Sequence, residues 1–317
     1  MKKPRMHIKP TNYISSLRDN IAENILFTLP EGPKLINETS DYIVEKDGLM
    51  YYHEHPFGYE VFIIDKGSVA CCICGKRAIA HEGDFVLIPP HVPHGFVYLE
   101  EGTIWRELFQ GIDMYQIMLD QDTVRKNAPE KAEDEEFMNK LRLERGIINL
   151  PEPDPVEDVD KKDLSAFIKP KEWALKSYKY DGITLNLKIG RWELDGVKEI
   201  WEYVLDKDMV IDWTEPHGFT DLFVVKKGSV KVEVAGEKSF IAKARDIINI
   251  PNYTPHKFTV LEAGTVLHDY NCQAHLFRFL GDIERFKKND PRKLDDPKFI
   301  EKLKDKHGLV VTGVYKK

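Results

Sequence analysis

The sequence predicts an all-β core made of two similar antiparallel sandwiches or barrels in tandem, with helices at the periphery. Three observations predict it. First, the chain repeats itself: EKDGLMYYHEHPFGYEVFIIDKGSV (45–69) falls on DKDMVIDWTEPHGFTDLFVVKKGSV (206–230) without a gap, keeping the Lys-Asp pair and the KGSV ending. With one further residue of shift, GDFVLIPPHVPHGFVYLEEGT (83–103) falls on RDIINIPNYTPHKFTVLEAGT (245–265), aligning two Pro-His turns and two Gly-Thr turns. A repeat this long is architecture. Second, each repeat reads as short strands broken by turn signals, such as EVFIIDKG, SVACCIC and FVLIPP, the spacing of a sandwich or barrel. Third, 317 residues suffice for two domains of ordinary size, and the apolar runs are strand-sized.

Taken in order, residues 1–119 form the first barrel, with ISSLRDNIAENILFTL (14–29) expected as a leading amphipathic helix. VYLEEGTIWRELF (97–109) is expected as a hairpin turning at Glu-Gly. Residues 120–165 read as a charged linker. Its first part is rich in helix formers with a weak apolar face at Phe137, Leu141 and Leu143, and its second part, LPEPDPVEDVDKKD, is rich in Pro and Asp. Residues 166–317 form the second barrel and end in two short helices. The last of these starts near Asp296-Pro297 and stops at Gly308.

The formal net charge is −7, with no basic excess of the kind a general nucleic-acid binder carries. No run approaches the roughly 20 apolar residues of a membrane span, and the basic start MKKPRMHIKP has no apolar stretch behind it, so no secretory signal is expected. Cys71, Cys72 and Cys74 crowd into one strand. Its neighbours point to opposite faces, so they suit packing better than a tetrahedral metal site. Three reduced thiols there suggest the cytoplasm.

The residues with chemistry begin at YYHEHPFGYEVFIIDKG (51–67). His53 and His55 are two apart and share a face of one strand. Glu60 returns to that face after the PFG turn, and PPHVPHGF supplies His94. Three imidazoles and a carboxylate suit a borderline first-row metal. Strand-borne ligands would leave positions open for water or substrate.

The stretch from His53 to Gly67 resembles the first signature of the cupin superfamily, His-x-His, a short spacer, Glu, six residues, Gly. The stretch Gly83 to His94 resembles the second, with His91 where the family often has glycine. Two such units, over roughly 40–112 and 200–280, resemble the bicupins. The resemblance implies two jelly-roll barrels and a divalent metal held by His53, His55, Glu60 and His94, Fe(II) or Mn(II) favoured and Ni(II) or Zn(II) as further candidates.

In the second copy the ungapped shift puts Thr214 on His53, Pro216 on His55, Asp221 on Glu60 and His256 on His94. A one-residue slip, which needs a bulge, would instead assemble Glu215, His217, Asp221 and His256. A barrel without metal is the blander reading. His268 and His275 near its end read as packed or solvated. In TIWRELFQ one of Arg106 and Glu107 must face inward; Arg106 is the candidate to bind a substrate carboxylate and, with Glu60, the catalytic pair. Tyr51, Tyr59, Phe62 and Trp105 could line an aromatic pocket or pack the core.

The resemblance implies a metal-dependent enzyme of dioxygenase type acting on a small aromatic or carboxylate substrate. The alternatives are a non-oxidative decarboxylase, lyase or isomerase, and a ligand-binding bicupin that is no enzyme; fold alone does not choose among them. The partners expected are a small-molecule substrate and a second copy in a homodimer, not nucleic acid or membrane.

Overall fold

Runs of Val, Ile and Phe alternating with polar residues make the strands of both repeats, and in each repeat they build two facing antiparallel sheets. The computed structural model describes residues 7–8, 14–18, 21–30, 36–44, 46–112, 114–214, 220–251 and 253–309. The chain divides into two compact units, Thr11–Trp173, and Ala174–Lys317 together with Met1–Pro10. Residues 120–165, expected as a separate linker, thus belong to the first unit.

In the first unit, one sheet runs in the order Ile148–Asn149, Leu49–Glu54, His94–Tyr98, Ser68–Ile73, Lys76–His81, Glu157–Asp158. The other runs Ile168–Lys169, Phe85–Ile88, Tyr59–Lys66, Thr103–Gln110, Ile36–Val44, Ile21–Pro30, Ile14–Arg18. From Ile36–Val44 to Thr103–Gln110 the chain crosses between the sheets at every step except the hairpin of Ser68–Ile73 and Lys76–His81, which is the jelly-roll path. The chain leaves Tyr59–Lys66 through Gly67 and enters Ser68–Ile73 in the opposite sheet. The same crossing corrects the expected hairpin: His94–Tyr98 and Thr103–Gln110 lie in different sheets, so Glu-Gly turns a corner of the barrel and closes no ladder. Between the sheets Phe62, Ile64, Phe96, Tyr98 and Trp105 are fully buried, with Phe62 and Trp105 ring centroids 4.2 Å apart.

The expected leading helix is also corrected. Residues 14–29 lie on two strands, Ile14–Arg18 and Ile21–Pro30, the second paired along Ile36–Val44, itself paired to Thr103–Gln110. An open sheet edge offers Ile, Leu, Phe and Thr a ladder, and that overrides a helical periodicity. The charged segment does form helices, Met114–Asn127 and Glu135–Glu144, the latter capped by the Asp134 side chain accepting from the Phe137 N–H. Ile112, Ile117 and Ile147 pack there against Phe109.

The second unit has a seven-stranded sheet, His7–Ile8, Ile247–Ile250, Asp221–Lys227, Thr265–Cys272, Glu199–Leu205, Ile183–Ile189, Lys176–Tyr180, facing Val210–Thr214, His256–Val260, Ser229–Val234 and Phe240–Lys243. Its core holds Phe223, Val225, Val232, Phe258 and Leu267. The tail matches its expectation: Leu276–Asn289 buries Leu276, Phe279, Leu280 and Ile283, and Pro297–Lys306 is capped by Asp296 and followed by Gly308 at φ +74°. Among the described residues no helix is long and apolar enough to cross a membrane.

Candidate metal centre

Strand register brings the first site together. His53 on Leu49–Glu54 is paired with His94, the first residue of His94–Tyr98. The two strands approach closely because Gly95 has no side chain: a Cβ there would lie 3.1 Å from the Met50 carbonyl oxygen and from the Tyr52 Cα. His55 follows the strand end, and its backbone carbonyl accepts from the His91 N–H at 2.9 Å. Glu60 enters from the opposite sheet, at the start of Tyr59–Lys66. Three imidazoles from one sheet thus face a carboxylate from the other, inside the barrel. All four are buried.

The geometry is tight. His55 Nε2 and His94 Nε2 each lie 3.1 Å from Glu60 Oε2. Ligand atoms of His53, Glu60 and His94 lie within 4.8 Å of one another, and the His53 and His94 ring centroids are 4.3 Å apart. His53 Nδ1 lies 2.8 Å from the Tyr51 carbonyl, and His94 Nδ1 lies 2.8 Å from the Val92 carbonyl. A ring that donates through Nδ1 presents the lone pair of Nε2, so both rings face the chamber as acceptors. Burial, with His94 adding to it, pushes His53 down to about 3, so it is neutral. Burial alone would raise Glu60, but the adjacent His55 imidazole, and after it that of His94, hold its carboxyl well below the usual range. Burial likewise opposes protonation of His55, and the Glu60 carboxylate outweighs it and raises His55.

This arrangement fits a cation. His55 Nε2, His94 Nε2 and Glu60 Oε2 are buried and none makes a hydrogen bond of acceptable geometry. Acceptor atoms crowded at about 3 Å repel unless a positive centre lies among them. A proton on His55 serves for one pair; a divalent metal serves for the whole set.

Comparison with known proteins agrees with the geometry. Residues 42–104 match the cupin domain family. Across both repeats the chain has the tandem-barrel fold of solved bicupins. The fold is that of a two-barrel cupin. A variant of oxalate decarboxylase from Bacillus subtilis superposes with a TM-score of 0.52 at 15% identity, over 98% of this chain and 89% of that one. An oxalate decarboxylase from Lactobacillus farciminis, solved as a formate complex, gives 0.51 at 14% identity, over 85% and 86%. The 11S globulin of Wrightia tinctoria, described with an auxin binding site, gives 0.52 at 11% identity, over 84% and 83%. No curated protein matches by sequence.

The bicupin's other expected site residues are placed differently. Arg106 does not join the metal set. It is registered opposite Ile63, whereas Phe62 and Glu60 face Glu107 and Phe109, so Arg106 points to the other face of the sheet. There it is fully buried with Asp65, Nη2 to Oδ2 3.7 Å. The inward residue of the pair is Glu107, which is 1% exposed. Strand parity from Glu60 was the signal that could have chosen between them. Phe62 and Trp105 belong to the barrel core, Tyr51 is 55% exposed, and His91 is exposed on its turn at φ +60°.

In the second barrel Thr214 is paired with His256 as His53 is with His94, so the ungapped register holds up to Thr214. Glu215 and His217 lie outside the described residues. Asp221 Oδ2 lies 3.7 Å from His256 Nε2, and His256 Nδ1 lies 3.2 Å from the Thr254 carbonyl, repeating the tether of His94. Burial pushes His256 down to about 4. His268 is buried 3.2 Å from Glu202, on the face opposite Asp269. Asp269 is a residue that sequence reasoning missed: it is buried at the position of Glu107, with the Tyr203 hydroxyl donating at 3.4 Å.

Proposed function

We propose that the first barrel is the catalytic centre of a divalent-metal enzyme acting on a small carboxylate or aromatic substrate, with Fe(II) or Mn(II) as the resident metal. The observation that carries this reading is the convergence of His55 Nε2 and His94 Nε2 on one oxygen of Glu60, deep in the barrel, with His53 beside them. A storage or purely structural barrel gains nothing from so costly a burial. Such a metal would supply Lewis acidity and one-electron chemistry at positions left open by the four side chains. His53 and His94 are tethered to the Tyr51 and Val92 carbonyls through Nδ1 and so would present Nε2, the Glu60 carboxylate would offset part of the metal's charge, and the Phe96 ring packs against His94 with centroids 5.5 Å apart. A substrate and dioxygen brought together at such a centre would give dioxygenase-type chemistry, the leading reading.

A second reading is favoured by a specific observation. A Bacillus subtilis oxalate decarboxylase variant is similar in fold over 98% of this chain. Non-oxidative cleavage of a small dicarboxylate at the same centre would need a chain group to handle one proton, with Glu60 occupied by the metal. We take the protein to act in the cytoplasm as a homodimer; the free thiols of Cys71, Cys72, Cys74 and Cys272 support the compartment.

The test is metal analysis of anaerobically purified protein, then O₂ uptake and CO₂ release with catechols, gentisates, oxalate and small keto acids. About one metal per chain with substrate-dependent O₂ uptake is expected. CO₂ release without O₂ consumption moves the protein to the second reading. No metal retained from any of Fe(II), Mn(II), Ni(II) or Zn(II) overturns both.

A further inference from the structure

Besides the four candidate ligands, the inner face of the first barrel carries another buried carboxylate. Glu107 lies in the middle of Thr103–Gln110, 1% exposed, on a strand whose other inward side chains are Trp105 and Phe109. Its register partner is Phe62, and the next inward residue of that neighbouring strand is Glu60. Glu107 is therefore the diagonal neighbour of Glu60 on the inner face, a separation of about 7–8 Å between backbones that a glutamate side chain can largely close. On that face it lies level with Phe62, one register step from Glu60.

The second barrel carries a carboxylate at the same place. Asp269 is registered opposite Phe223, as Glu107 is opposite Phe62, and Asp221 takes the place of Glu60. There burial raises the Asp221 carboxyl and the Asp269 charge raises it further, so carboxylates at these two positions feel one another through the barrel interior. The neighbouring outward residue differs between the copies, Arg106 in one and His268 in the other. The acid is kept where the outward neighbour is not.

We propose that Glu107 is a positioning residue for the metal, a second carboxylate that balances the charge of a dication held by His53, His55, Glu60 and His94. The inference rests on the metal reading of that site. The imidazoles bring no charge in their ligating form, so Glu60 alone would leave a dication with one uncompensated positive charge in a buried chamber. Glu107 removes it, and at this depth the interaction is poorly screened by water or salt. A dication should gain from Glu107 more than any monocation does.

The experiment compares wild type, Glu107→Gln and Glu107→Asp as full-length apoproteins titrated with Mn(II) against a competing chelator, with Tm measured before and after loading. Glu107→Gln is expected to weaken Mn(II) binding by about tenfold or more and to shrink the metal-induced rise in Tm, while the apo Tm stays equal or rises. Glu107→Asp is expected to keep affinity within about threefold. Unchanged Mn(II) affinity in Glu107→Gln overturns the proposal. So does a fall in apo Tm that accompanies the loss of affinity, because Glu107 would then be holding the barrel together. Wild type that binds no metal is a different failure, and it removes the centre itself.

Discussion

His94 presents Nε2 to the chamber because the Val92 carbonyl, two residues back, takes Nδ1, and His53 repeats the device with Tyr51. The tether is local, so each ring arrives oriented before any metal does, and deleting a ring removes a preset ligand. His94→Ala, or His53→Ala, should lower bound metal at least tenfold while leaving the strands in place; elemental analysis of the purified variants checks this, and full occupancy would remove the residues from the site. The unloaded site also predicts a pH dependence. The Glu60 carboxylate raises His55 above its usual 6.5 against the effect of burial. Metal can bind only the unprotonated ring, so protons compete from a higher pH than for an ordinary histidine. Apparent affinity should be greatest above that raised value and fall as pH drops through it, about tenfold per unit for one displaced proton. Mn(II) titrations at pH 8, 7 and 6 test it, and a flat profile would mean that His55 is not a ligand. At this scale the sequence was legible where spacing decides, as for His53, His55, Glu60 and His94. It misled where parity decides: Arg106 has the chemistry of a substrate clamp, but one residue of phase sends it to Asp65 on the other face.

The turns after Lys66 and Lys227 do the same work in each barrel. Gly67 at φ +86° lies against Thr103, and Gly228 at φ +77° against Thr265. Each threonine hydroxyl donates to the carbonyl of the glutamate three residues before it, Glu100 or Glu262, at 2.7 Å. That glutamate's side chain accepts from Ser68 at 2.6 Å or from Ser229. The sequence words KGSV and Gly-Thr are thus two halves of one lock, which explains why both survive in the repeat. A Cβ on Gly67 would come within 2.5 Å of Thr103 Oγ1, on a backbone angle that side chains avoid. Gly67→Ala should therefore cost about 2 kcal/mol or more, measured by chemical denaturation; a loss below about 0.5 kcal/mol would mean that the corner relaxes freely. Element types were legible for the repeated strands and the tail helices, where periodicity, proline and capping aspartate agree. They were not for 14–29, because a strand added to a sheet edge is chosen by its neighbour, Ile36–Val44.

Two barrels from one ancestral pattern have diverged in what they bury. The first keeps three histidines and a glutamate in its chamber. The second keeps the His256 tether and a carboxylate at Asp221 but has Thr214 where the first has His53, and this much the alignment of the two repeats made legible. Asp269 was not legible, since a lone acid in LHDYNC gives no sign of facing inward until the register with Phe223 is known. Inside, burial pushes the Asp269 carboxyl up to about 7, while Tyr203 and the Asn271 N–H hydrogen-bond to it. The unfolded chain holds this group near its usual 3.8. The folded protein therefore keeps a proton that the unfolded chain releases, and the stability this gives is complete below about pH 4 and is lost as pH rises through 7. Asn is nearly the same shape and carries no charge: its Oδ1 can accept from the Asn271 N–H as Asp269 Oδ1 does, and its amide NH2 can donate to the Tyr203 hydroxyl that now bonds the other oxygen. Asp269→Asn should thus change Tm little near pH 4.5 and raise it at pH 8, by an amount corresponding to a few kcal/mol at most. Calorimetry at the two pH values gives the answer. A gain at pH 8 no larger than at pH 4.5 would mean that a positive group offsets the Asp269 charge in the folded protein.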